Sequence, residues 1–166
     1  MRMIDPILME FDRECSTTRK VLERVDDAHL DFRPHEKSMT MRQLAYHLAT
    51  LPHWIGDSLL SDGFDIAASR PPSPPATAAE IVQKFGAAVA LAKEAMAQLD
   101  DAKAMGDCSL RKGGTSLLTL PRIALVRTIL LNHSIHHRGQ LTVYLRISGI
   151  PVPPVYGPTA DENPFG

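Results

Sequence analysis

The sequence predicts an all-α fold, a four-helix bundle, and three observations carry that expectation. Long stretches repeat apolar residues at gaps of three and four. Their starts carry helix-capping residues, and strand-like alternation is almost absent. The whole chain, residues 1–166, reads as one domain.

The first helix is expected over residues 5–25, with Asp5 as N-cap and Pro6 at the first helical position. Ile4, Leu8, Phe11, Cys15, Thr18, Leu22 and Val25 form one continuous stripe, so Cys15 reads as core packing. Residues 26–38 carry Pro34 and read as a loop. The second helix, over 40–60, opens with a capping box of Thr40 and Gln43. The connection over 61–76 holds Pro71, Pro72, Pro74 and Pro75, which a helix cannot absorb. Its length permits either a simple up-down arrangement or a long crossover. A second capping box, Thr77 with Glu80, starts the third helix over 77–101, with a stripe of Ile81, Phe85, Ala88, Ala92, Met96 and Leu99. From 102 to 120 the helical pattern is lost, and Gly113-Gly114 between two short apolar runs is compatible with a small hairpin. The fourth helix, over 121–148, stops at Gly149 with Pro151 beyond it. Residues 149–166 form an irregular tail.

Lys plus Arg number 18 and Asp plus Glu 19, which leaves no global field for nucleic acid or an anionic membrane. No run approaches the ~20 apolar residues of a membrane span, and the longest candidate, 123–131, is interrupted by Arg127. Charges at Asp5, Glu10 and Asp12 break any secretory leader, so a cytoplasmic protein is expected. Cys15 and Cys108 are far apart and make neither a disulfide framework nor a metal knuckle.

Seven histidines are present, and three stand where polar groups are unexpected. On a helical wheel Val126, Ile129, Leu130, Gln140, Tyr144 and Ile147 gather on one side of the fourth helix, with His133 and His137 in its middle. His47 falls in line with Leu44, Leu51 and Trp54 on the second helix. A lone histidine on such a face is usually hydrogen-bonded within the core. Three on two helices, two of them four residues apart, instead point to one divalent metal ion of the zinc type. His136 lies off the centre of the face, His53 points away, and His29 and His35 fall in the loop, so these four read as solvated or local.

Three neutral imidazoles leave a coordination position open, whereas structural zinc sites close their shell with four protein ligands. The uncompensated charge favours an anionic ligand, such as a thiolate, hydroxide or carboxylate. No side chain is assigned as catalytic, the nucleophile being metal-bound water or thiolate. Gln140 could hydrogen-bond a ligand or a ligating histidine, or simply pack at the core edge. Arg138 faces away from His137 and is expected to make a salt bridge or bind the tail. In that tail Tyr156, Asp161 and Glu162 could fold over the pocket mouth, although a surface role suits the two acids better.

The run N-H-x-x-H-H-R-G-Q-L from Asn132 to Leu141 carries a resemblance. So do Tyr144-Leu145-Arg146, Gly149-Ile150-Pro151, Val155-Tyr156-Gly157-Pro158 and Leu44-Ala45-Tyr46-His47-Leu48. Together they resemble the DinB-like family of helical-bundle metalloproteins, which is similar to bacillithiol- and mycothiol-dependent transferases and isomerases. Isomerase relatives often have a carboxylate where this chain has His133. The resemblance implies a DinB/YfiT-like fold, His47, His133 and His137 as ligands of zinc or nickel, and a homodimer. Leu131 and Ile135 add apolar surface on a further face of the fourth helix. The expected function is a metal-dependent enzyme that activates a low-molecular-weight thiol or water, of the thiol S-transferase or hydrolase type. The alternative is a non-catalytic metal- or small-ligand-binding, stress-response module of the same fold.

Overall fold

A computed structural model describes residues 1–61, 63–68 and 73–165. Among these, four long helices form most of the chain: α1 (Ile4–Leu22), α2 (Met41–Leu59), α3 (Ala78–Ala97) and α5 (residues 122–147). A short helix, α4 (Asp101–Met105), follows α3, and three strands complete the fold: β1 (Gly63–Asp65), β2 (Asp107–Lys112) and β3 (Thr115–Pro121). Pro71 and Pro72 of the proline-rich connection lie outside the described residues.

The two capping boxes form as expected. Thr40 accepts from the Gln43 amide while the Gln43 side chain returns to the Thr40 amide, and Thr77 and Glu80 do the same for α3. Each box satisfies two backbone groups that a helix start leaves without partners. The start of α1 differs. Met3 is its N-cap, and Asp5, in the first turn, accepts from the Arg2 amide at 2.7 Å. The third helix also ends early, at Ala97, because Asp100 caps a separate short helix by accepting from the Lys103 amide.

The all-α expectation does not hold. The three strands form one mixed sheet in the order β1-β2-β3, with β1 parallel to β2 and β2 antiparallel to β3. The β2–β3 hairpin turns at Gly113-Gly114, whose φ angles of 57° and 82° suit the mirror-image turn that matches strand twist. The third strand, β1, arises in the connection read as loop. It is three residues long, too short for any alternation to register. Gly63 permits its approach, since a Cβ there would sit 2.2 Å from the Ser109 carbonyl oxygen. Asp65 then ties β1 to the hairpin, its carboxylate accepting from the amides of Gly113 and Gly114 at 3.0 Å each.

Helices α3 and α5 each pack against both α1 and α2, so α1 and α2 lie across from one another. The stripes read from the sequence fill the centre: Ile4, Phe11 and Leu22 from α1, Leu44 and Leu51 from α2, and Ile81, Phe85 and Met96 from α3 are all buried.

Helix α5 is not uniform. Arg122–Leu125 is α-helical, Val126–Asn132 is a π-helix, and His133–Ile147 is α-helical again. The wider π turn shifts the phase between its two ends, so a single wheel misassigns the later residues. Gln140 and Ile147 are exposed, while Arg138, Leu141 and Leu145 are buried. Leu131, expected on a dimer face, belongs to the core.

Arg138 is the largest fully buried side chain. It pairs with Glu14 at 2.7 Å, donates to the Glu14 carbonyl and the Thr18 hydroxyl, and donates to the Tyr156 hydroxyl at 2.6 Å. An unpaired guanidinium in that position would be costly, and these bonds compensate it. They also pin the tail across α1, together with the ion pairs Arg146–Asp161 and Arg24–Glu162.

Candidate metal centre

Two helices supply the site. Helix α2 carries His47 on the turn before Pro52, and α5 carries His133 and His137 on the first two turns after the π segment. Spacing of four residues in regular α-helix stacks the last two on one side. All three are half-buried, at the edge of the core and not in its middle as the single wheel implied. The structure thus brings together the three histidines that the sequence singled out.

Their Nε2 atoms converge. His47 Nε2 lies 3.3 Å from His133 Nε2, and His133 Nε2 lies 2.7 Å from His137 Nε2. One ligand atom from each residue falls within 4.8 Å of the other two. Nitrogens about 2.0–2.1 Å from a common tetrahedral ion are about 3.3 Å apart, so the first pair already has that spacing. The second pair would open by about half an ångström. Without an ion, His133 Nε2 faces two other ring nitrogens and can act toward them either as a donor or as an acceptor, never both. The residues therefore fit a divalent cation better than they fit one another.

The far side of the rings supports the same geometry. His137 Nδ1 lies 2.7 Å from Gln140 Oε1, an acceptor, which places the ring proton on Nδ1 and leaves the Nε2 lone pair free. His133 is held by a hydrogen bond to the Ile129 backbone, one turn earlier in the π segment. Burial, then the neighbouring imidazoles, push the His47 pKa down to about 4. Burial likewise lowers those of His133 and His137, with Gln140 partly opposing the shift at His137. The cluster is thereby kept neutral, the form that can ligate. Among the described residues no carboxylate or thiolate joins the group, so none of them offsets the charge of an ion held there.

Trp54, one of the residues aligned with His47 in the sequence, stands against the centre. Its ring meets the His47 ring edge-on, with centroids 5.6 Å apart, and stacks on Phe64 of β1 at 5.7 Å. The Phe64 partnership was not legible beforehand, because Phe64 sits in a segment with no periodic pattern. The remaining histidines lie elsewhere or outside the cluster. His29 bonds Asp26, His35 accepts from the Lys37 amide, His53 is exposed, and exposed His136 meets the His137 ring edge-on at 4.9 Å. Tyr156, Asp161 and Glu162 do not close over the histidines, since their bonds go to Arg138 and Glu14, to Arg146, and to Arg24. Burial raises the Cys15 thiol to about 12, which keeps it protonated and suits its expected packing role. Among the described residues no helix is long and apolar enough to cross a membrane.

With the geometry in place, comparison with known proteins is informative. A chain from Bacillus subtilis (strain 168), the uncharacterized protein YrdA, is 25% identical over 96% of this chain and 91% of its own length. A crystal structure of a DinB-like protein from Bacillus cereus ATCC 10987 superposes with a TM-score of 0.74 at 24% identity, covering 90% of this chain and 95% of the other. A DinB-like protein from Bacillus subtilis, YjoA, gives a TM-score of 0.72 at 19% identity, covering 92% and 98%. These two likenesses concern the fold. The sequence model of the DinB family matches residues 3–163, nearly the full length, and the chain belongs to that family.

Proposed function

We propose that this protein is a metal-dependent enzyme that activates a low-molecular-weight thiol or water, acting as a thiol S-transferase or a hydrolase. The observation that carries the reading is the convergence of three Nε2 atoms from two helices with no fourth protein donor among the described residues. Three neutral ligands and an open position are the composition of a catalytic site rather than a structural one. Zinc or nickel is the expected ion, and His47, His133 and His137 would hold it. When bound, such an ion acts as a Lewis acid and brings the pKa of a ligated water or thiol toward neutrality.

The chain's own groups do the rest. Gln140 fixes the His137 tautomer and so keeps its Nε2 aimed inward. The ring of Trp54 excludes water from one side of His47. An open hollow of about 370 Å³, bordered by Gln43, Tyr46, His47, Thr50 and Trp54, is a route by which a polar thiol reaches the cluster. Among the described residues no side chain there is placed to act as a general base, and a thiol proton passed to a neighbouring water needs none.

The reading is tested by incubating zinc- or nickel-loaded protein with small thiols and a panel of electrophiles, following thiol consumption and product mass. Turnover that depends on the metal is expected. Full metal occupancy with no thiol transfer or hydrolysis across the panel would instead favour a binding module.

A further inference from the structure

On the other side of Trp54 lies a second space, a cavity of about 140 Å³ between α2, the sheet and α5. Its walls are almost wholly apolar: Trp54 and Ile55 from α2, Phe64 and Leu110 from β1 and β2, and Ile129 from the π segment. His133 closes one end and is shared with the histidine cluster. The polar side chains that reach the wall are engaged by the protein. Ser58 Oγ donates to the Trp54 carbonyl at 2.6 Å, Ser109 Oγ bonds Thr119 Oγ1 at 2.9 Å, and Cys108 Sγ lies 3.6 Å from the Ser58 carbonyl. Apart from His133 at the end shared with the cluster, no described side chain of the wall asks for a charged or hydrogen-bonding guest.

We infer that this cavity is the specificity pocket of the site, taking a compact, uncharged apolar group of a substrate about the size of a benzene ring. An apolar cavity of about 150 Å³ stays dry and accepts benzene, so the size and lining suit that class. A wall without packing partners forfeits dispersion contacts that such a group restores. The placement beside His133 sets the reacting atom of the same substrate toward the cluster, and this orientation rests on the metal-centre reading above. The binding itself does not. The mixed sheet that overturned the all-α expectation is what makes the pocket: without Phe64 and Leu110 it would be an open groove on the helices.

Trp54 is the chain's only tryptophan and borders both spaces, so its fluorescence reports on the pocket directly. Metal-free protein titrated with toluene should give a saturable Trp54 response at one equivalent per chain, and 1,3,5-triethylbenzene, equally apolar but too bulky for the space, should give none. Ile129→Phe and Leu110→Phe each fill the cavity and should weaken toluene binding by about tenfold or more while circular dichroism stays native. A linear response, equal binding of 1,3,5-triethylbenzene, or unchanged affinity in both folded variants would overturn the pocket. With zinc added, phenylmethanethiol should bind about tenfold more tightly than toluene, and equal affinity would overturn the orientation toward the cluster. Elemental analysis of the same samples separates the two readings, since toluene binding without zinc uptake defeats the metal centre alone.

Discussion

At His137 the two ring nitrogens have separate duties, Nδ1 toward Gln140 and Nε2 toward His47 and His133. Replacing His137 by Ala leaves two ligand atoms on two different helices, too few to hold an ion at stoichiometry. Elemental analysis after dialysis should therefore find His137→Ala metal-poor, while exposed His53→Ala keeps the full content. Full occupancy in His137→Ala would sink the ligand assignment. The same nitrogens set the pH response. Free histidine titrates near 6.5, and residue type alone would place the loss of metal there. Burial lowers all three pKa values, that of His47 to about 4, so the neutral ligating form persists to more acid solution. Affinity should survive acidification through about 6.5 and be lost only at lower pH, as the depressed folded-state values are crossed. The sign for the metal-free fold is the same. Its histidines refuse protons that the unfolded chain accepts below about 6.5, so stability declines as pH falls from there toward about 4. A sharp loss of metal centred near 6.5 would contradict the shifts.

Among the elements, the hairpin and the π segment matter most for the site, and each rests on a local feature. Asp65 holds β1 against the β2–β3 turn through the amides of Gly113 and Gly114. Those bonds lower its pKa, so the contact is intact above the ordinary carboxylate range and fails only as pH drops through the depressed value. Asp65→Ala should release the turn, which amide exchange would report as faster exchange at Gly113 and Gly114, with the amides of α2 and α3 unchanged. Unaltered exchange at the two glycines would show that β1 is held by its ladder alone. Capping boxes and apolar stripes were legible because they are local patterns in the chain. The strand β1 was not, since its hydrogen bonds come from residues 109–111, far along the sequence. The π segment was equally hidden, because no residue in Val126–Asn132 marks a wider turn.

For the whole molecule, the arrangement of α1 and α2 on opposite sides decides which faces are free. Leu131, one of the two residues that suggested a second apolar face, is spent on the core. Val143 and Ile147, four residues apart on α5, are instead more than half exposed. We propose the homodimer implied by the family likeness, and this pair is its most apolar exposed stripe on α5. Light scattering at micromolar concentration should return about twice 18.3 kDa, and Val143→Glu should shift it to the single mass. A single mass for the unaltered protein would remove the dimer.

Four helices, two of their capped starts and the three histidines could be read from the sequence alone, because each depends on neighbours within a turn or two. The DinB family was likewise visible in the run around His133 and His137. Tertiary structure alone decided the pairing of β1 with the hairpin, the burial of Arg138 with Glu14 and Tyr156, and the apolar cavity beside His133. Each brings together at least one pair of groups tens of residues apart, and no periodicity records such a pairing. Whether an arginine is a surface charge or a buried clamp depends on what folds against it, and here that is a tail eighteen residues further on.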